Sequence, residues 1–170
     1  ILKNETRTNA LGEEVETGRV VRFRGNIGTA FIYGLESFAD WNIKEVAFPG
    51  LEKAKLNLFV NLALTGSEYT DSEQNNVEGN QVEFIPEINL KTGLSFGYGN
   101  FLGSLQYTYL SEQFTDATNA PQDVNDNQRG IEGTIPAYDI MDLSFSYSWK
   151  MFKLEAGVNN LLDNSYFTRR

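Results

Sequence analysis

Hydrophobic and polar residues alternate along most of this chain, most cleanly between Asp139 and Tyr166. At period two, Met141, Leu143, Phe145, Tyr147 and Trp149 share one face, and Asp142, Ser144, Ser146 and Ser148 share the other. After Lys150-Met151 the pattern restarts, with Phe152, Leu154, Ala156 and Val158 opposed to Lys153, Glu155, Gly157 and Asn159. Two strands joined by so short a turn form a hairpin. One of its sides is continuously apolar; the other is small, polar or charged.

The same reading extends upstream. From Gly28 to Ile43, Phe31, Tyr33, Leu35, Ala39, Trp41 and Ile43 oppose Ala30, Gly34, Glu36, Asp40 and Asn42, with Ile32 and Phe38 as apolar exceptions. Residues 44–53, with Pro49-Gly50 inside, read as a turn. From Ala54 to Tyr69, Leu56, Leu58, Val60, Leu62 and Leu64 oppose Lys55, Asn57, Asn61 and Thr65, joined by Phe59 and Ala63. Residues 70–85 form a polar loop, and Pro86 opens the next strand, where a missing N–H is least costly. That strand sets Ile88, Leu90, Leu94, Phe96 and Tyr98 against Asn89, Lys91, Gly93, Ser95 and Gly97. Gly99-Asn100 turns it into a strand whose Phe101, Leu105, Tyr107 and Tyr109 oppose Ser104, Gln106, Thr108 and Glu112. Residues 115–134 are a second long loop. Residues 1–5 read as the tail of a strand and 6–25 as a polar loop, with a short hairpin arm around Val20, Val21 and Phe23. The count is six full strands and a remnant.

A soluble β-sandwich also alternates, but three features favour lipid on the apolar face. Most of these stretches reach the ~9–11 residues that a membrane-crossing strand needs, against ~5–6 for a soluble one. Short turns alternate with long loops, as in outer-membrane barrels with periplasmic turns and external loops. Aromatics edge the short turns: Tyr98 and Phe101 at one, Trp149 and Phe152 at another, Trp41 before the third. Rings favour the headgroup level. Tyr33, Tyr69, Tyr107 and Tyr109 are expected toward the opposite rim.

Composition narrows the chemistry. Of 170 residues none is cysteine or histidine, which removes thiolate sites and the commonest acid–base catalyst. A net charge of -9 argues against nucleic-acid binding. Six carboxylates and no Lys or Arg lie between Glu68 and Glu87, read as a solvated loop in preference to a calcium site. Asp139 and Asp142 have opposite strand parity, so with Glu155 they do not make a glycosidase pair. Gly93, Gly97 and Gly99 sit in a strand with no helix behind it, unlike a phosphate loop. Asn159, Asn160 and Asp163 are expected to pin the end of the last strand. No residue is assigned a catalytic role.

Three segments, in order, carry a family resemblance. V-N-N-L-L-D-N-S-Y-F-T-R-R (Val158 to Arg170) resembles the segment before the last strand of TonB-dependent outer-membrane receptors, its ending especially similar to the ferric-dicitrate type. N-I-G-T-A-F-I-Y-G-L-E (Asn26 to Glu36) and G-T-I-P-A-Y-D-I-M-D-L (Gly133 to Leu143) resemble two further family segments. The resemblance implies an all-β fold: an antiparallel transmembrane β-barrel sector, about six to seven strands of a barrel with about 22. It further implies uptake of a metal chelate, a ferric siderophore or ferric citrate, across a Gram-negative outer membrane, driven by TonB through an upstream region.

On this reading 1–170 is the C-terminal portion of a receptor barrel, cut at both ends. The rivals are a complete small barrel serving as adhesin or anchor, and a soluble β-sandwich binding module. Arg169 and Arg170 are the candidate ligand-binding residues, since paired guanidinium groups suit the carboxylates of such a chelate. No metal site within the chain, cofactor or enzymatic activity is expected.

Overall fold

In the computed structural model of the chain, residues 2–9, 11–22, 26–121 and 133–166 are described. Strands β1 (Leu2–Thr8) and β2 (Glu14–Arg22) pair with each other as an antiparallel ribbon. Strands β3 (Gly28–Asn42) and β4 (Ala54–Ser72) follow, separated by the short helix α1 (Lys44–Ala47). Next come β5 (Ile88–Tyr98), β6 (Phe101–Leu110), the two-residue pieces β7 (Gln113–Phe114) and β8 (Thr134–Ile135), then β9 (Tyr138–Trp149) and β10 (Phe152–Val158). Six of these form one antiparallel sheet in the order β10-β9-β6-β5-β4-β3, while β7 and β8 pair separately. Apart from the small β7–β8 pair between β6 and β9, the sheet is a meander in chain order.

The register carries the period-two pattern across the whole sheet. Antiparallel partners share a face, and one row runs Trp41, Leu58, Leu94, Leu105, Leu143 and Val158 from one edge to the other. The next residues along, such as Asn57, Ser95, Ser104 and Ser144, line the opposite face. Every strand therefore contributes to both an apolar and a polar face. A one-residue slip at any pair would exchange the two.

Glycines sit beneath rings where the pairing demands it. Tyr33 faces Gly66 and Phe96 faces Gly103 on the apolar side; Phe59 faces Gly93 on the polar side. A Cβ at Gly66 would stand 2.5 Å from the Tyr33 ring, and one at Gly103 would stand 2.6 Å from that of Phe96. Each ring thus occupies space that a Cβ on its partner would need. The short turns are as tight as expected, each with a positive φ at its first residue: 58° at Gly99 and 51° at Lys150.

Neither face of the sheet is covered by the described residues. On edge strand β3, Leu35 is 64% exposed, and on edge strand β10, Leu154 is 72% exposed. Among the described residues the buried apolar side chains are Tyr69, Val77, Ala117 and Ile135, all at the long-loop end. A sandwich would bury one face against a second sheet, so that rival fails. The sheet does not close on itself among the described residues, which removes the complete small barrel in this form.

Three expectations need correction. Residues 6–25 are not a plain loop, because β1 runs on to Thr8 and β2 occupies Glu14–Arg22; Phe23 lies outside the described residues. Glu14-Val15-Glu16-Thr17 has no continuous apolar face, and it is a strand through its pairing with β1. The strand after Pro86 begins at Ile88. Tyr69 lies at the long-loop rim as expected, but not on the face of Tyr33, Tyr107 and Tyr109. It has the parity of Phe59, and it is buried under the loop that follows it.

Candidate functional site

The long-loop end is a folded cap. Tyr69, near the end of β4, packs with Val77 and Ala117, and Ile27 and Val82 close the cluster. Its backbone N–H donates to Asn80 O at 2.9 Å and its carbonyl accepts from Gly79 N at 2.9 Å, which folds 70–80 back over the strand. The Tyr69 hydroxyl donates to Glu83 Oε2 at 2.7 Å. Asn76 and Gly79 take positive φ, which permits that reversal.

The second loop docks on the first. Asn119 Oδ1 accepts from Gln81 N at 2.7 Å, and Asn119 Nδ2 donates to Gln81 O at 2.9 Å, so one side chain satisfies both backbone groups of a residue 38 positions away. Asn80 Nδ2 donates to Ala117 O at 2.9 Å, and Phe84 N donates to Phe114 O at 2.9 Å. Phe84 adopts φ 60° although it is bulky and exposed, held there by that bond. Thr115 Oγ1 donates to Gly133 O at 2.8 Å and joins the two ends of the second loop beside Ile135.

Beyond β10 the chain clasps β9 instead of pairing with it regularly. Asn160 N donates to Asp142 Oδ1 at 2.8 Å, Leu161 N to Met141 O at 2.6 Å, and Asn164 Nδ2 to both Asp139 O and Oδ1 at 3.1 Å. Tyr166 stacks on Tyr138 with ring centroids 4.9 Å apart. Of the residues expected to pin the strand end, Asn160 bonds to β9, and Asp163 N donates to Asn160 O at 2.9 Å. Asn164, Asp139 and Asp142 complete the clasp, and the sequence pattern singles out none of these three for the role. Spacing along one strand shows no sign of such partners, because they belong to the neighbouring strand.

The polar face carries hydroxyls, amides and charges of both signs. Ser104 and Ser144 share a hydrogen bond at 2.8 Å, and Lys153 pairs with Glu155 at 2.6 Å. Toward the short-turn end, Asp40, Asn42, Lys44, Glu52, Lys55 and Asn57 border a groove of about 400 Å³. Among the described residues no cluster of three metal-ligating side chains exists. Asp139 and Asp142 are engaged in the clasp and Glu155 with Lys153, so the three carboxylates do not converge. Gly93 lies under Phe59 within the wall. Arg169 and Arg170 lie outside the described residues. What remains is a sheet with one polar and one apolar face.

No helix among the described residues is long and apolar enough to cross a membrane; strands cross by a different arrangement. Comparison with known families decides what kind of wall this is. The family described as "TonB dependent receptor-like, beta-barrel" matches residues 4–161. The chain belongs to this TonB-dependent receptor β-barrel family. Among solved structures it is similar to the ferric citrate transporter FecA in the unliganded form, with a TM-score of 0.69 and 25% sequence identity. The likeness covers 81% of this chain and 20% of that one, so the chain spans about a fifth of the transporter's length. The sheet is thus an open sector of a receptor barrel. Of the family-like segments, Asn26–Glu36 contains the first nine residues of β3, Gly133–Leu143 spans β8 and the first half of β9, and residues 160–166 of the last segment make the clasp.

Proposed function

We propose that this chain forms part of the barrel wall of an outer-membrane receptor that imports a metal chelate, its polar face toward the lumen and its apolar face toward lipid. The observation that carries the reading is the register, which assembles a continuous apolar face and a continuous polar face from six strands. A sheet between lipid and a wet interior uses both faces in this way, and among the described residues no second sheet covers the apolar one. The protein is a transporter and not an enzyme, energised through TonB by a region upstream. The cargo is a ferric siderophore or ferric citrate, supported by the likeness to a ferric citrate transporter at 25% identity. The cell outer membrane of a Gram-negative bacterium is the location, with the folded cap outside and the short turns in the periplasm.

Binding of ferric citrate and of a panel of ferric siderophores to the purified intact receptor tests the cargo, with TonB-dependent iron uptake in cells as the second readout. Loss of uptake without TonB is expected; uptake indifferent to TonB, or no affinity for any ferric chelate, overturns the reading. Arg169 and Arg170 enter as candidate contacts to chelate carboxylates. Arg169→Ala with Arg170→Ala should weaken ferric citrate binding at matched surface expression, and unchanged affinity would make them structural. Orientation has its own check: a cysteine at Glu78 should label on intact cells, and one at Asn100 only after the outer membrane is breached.

A further inference from the structure

The turn between β3 and β4 exposes apolar side chains that the sheet does not use. Val46 is 86% exposed, Phe48 49% and Leu51 47%. The turn is nonetheless firmly built. Ala47 N donates to Ile43 O at 2.8 Å, Phe48 N to Lys44 O at 2.9 Å, Leu51 N to Phe48 O at 3.1 Å and Ala54 N to Leu51 O at 3.0 Å. Those side chains are therefore held out by an ordered backbone.

We propose that this turn is an interfacial anchor, with Val46, Phe48 and Leu51 seated in the lipid surface at the short-turn end. The proposal rests on the apolar face of the sheet being lipid-facing. The turn is divided by polarity: Lys44, Glu45 and Glu52 border the polar-side groove, whereas Val46, Phe48 and Leu51 do not. Lys44 is bound to Glu45 at 3.0 Å on that inner side. Such a division is the property that lays a segment along a bilayer surface.

Continuity with the rest of the rim identifies the occupant. Trp41, Tyr98, Trp149 and Phe152 are exposed at the same end, and Trp149 stacks on Phe152 with centroids 6.3 Å apart. Met151, at the tip of the β9–β10 turn on the far edge of the sheet, is 88% exposed. Indole and phenol rings collect at the headgroup level. Lys53 and Lys150 are exposed at that same end, Lys150 with its amine 5.3 Å from the centre of the Trp149 ring. Ammonium groups there match the phosphates of an anionic leaflet. The apolar surface thus continues from the strands around the rim, with cations at its edge.

The chain has no cysteine, so once any cysteine elsewhere in the intact protein is replaced, single cysteines introduced here can carry an environment-sensitive fluorophore. The intact protein would be folded into phosphatidylethanolamine–phosphatidylglycerol vesicles containing lipid brominated near the top of its acyl chains. A label at Val46→Cys should be quenched at least half as strongly as one at Leu58→Cys, with Leu51→Cys as a second turn position. A label at Asn57→Cys, on the polar face, should not be quenched. Quenching at Leu58→Cys but at neither turn position overturns the anchor and leaves the lipid-facing wall standing. Absence of quenching at all three apolar positions overturns both.

Discussion

The wall and the cap of this molecule are built on opposite terms. In the wall, β3 to β6, β9 and β10 are held by backbone pairing, and the side chains of both faces stay accessible. In the cap, Val77 is fully buried and Ile135 is 2% exposed, yet hardly any regular pairing is present beyond β7 and β8. There the order comes from side chains reaching distant backbone groups: Asn119 to Gln81, Asn80 to Ala117, and from the side-chain pair of Tyr69 with Glu83. A wall between lipid and lumen needs no core of its own. Loops surrounded by water do, because otherwise the entropy of the free chain wins.

The largest effect should come from charging the wall. Val60→Arg and Leu94→Arg, on the apolar face, should each cost ~2–4 kcal/mol if they lie near the bilayer midplane. Asn61→Arg and Ser95→Arg, one residue along on the polar face, should cost clearly less. Denaturant titration of folding into lipid vesicles measures both pairs. Equal penalties would mean that the two faces are not what the register makes them, and would remove the basis of the comparison.

The cap should break locally. Asn119→Ala strips both backbone groups of Gln81 of their partner and should cost about 1–3 kcal/mol there. Amide exchange near Gln81 and Phe84 should accelerate by roughly tenfold or more, while β5 and β6 amides keep their protection. Gln81→Ala is the control, because among the described residues the Gln81 side chain bonds to Glu87 alone and its backbone pair with Asn119 survives. Acceleration that spread through the wall would show one cooperative unit where two are expected.

A smaller change should follow from Tyr69→Phe, which deletes the 2.7 Å bond to Glu83 but keeps the ring on Val77. A loss of about 0.5–1.5 kcal/mol is expected, visible as faster exchange at Asn80 alone. If the whole cap opened, the hydroxyl and not the apolar cluster would be its anchor.

The row Trp41, Leu58, Leu94, Leu105, Leu143 and Val158 can be assigned to one face from the alternation alone, because each strand's pleat fixes side-chain parity locally. The tight turns at Gly99-Asn100 and Lys150-Met151 are legible for the same reason. β2 is not. Glu14, Glu16 and Arg19 give it no continuous apolar side, and its strand conformation depends on its pairing with β1.

Tyr69 shows where the sequence by itself stops deciding. Its parity with Phe59 is readable, but its burial depends on Val77 and Ala117 arriving from two separate loops. Asn119 and Gln81, like Asn164 and Asp139, meet only after the intervening chain has closed on itself. The sequence alone determined the two-faced wall, its strand lengths, its tight turns and the absence of catalytic histidine or cysteine chemistry. The tertiary structure alone decided the cap and the clasp, because a polar loop residue can satisfy its hydrogen bonds with water as well as with protein. Which of the two it chooses depends on whether a distant partner is brought within reach.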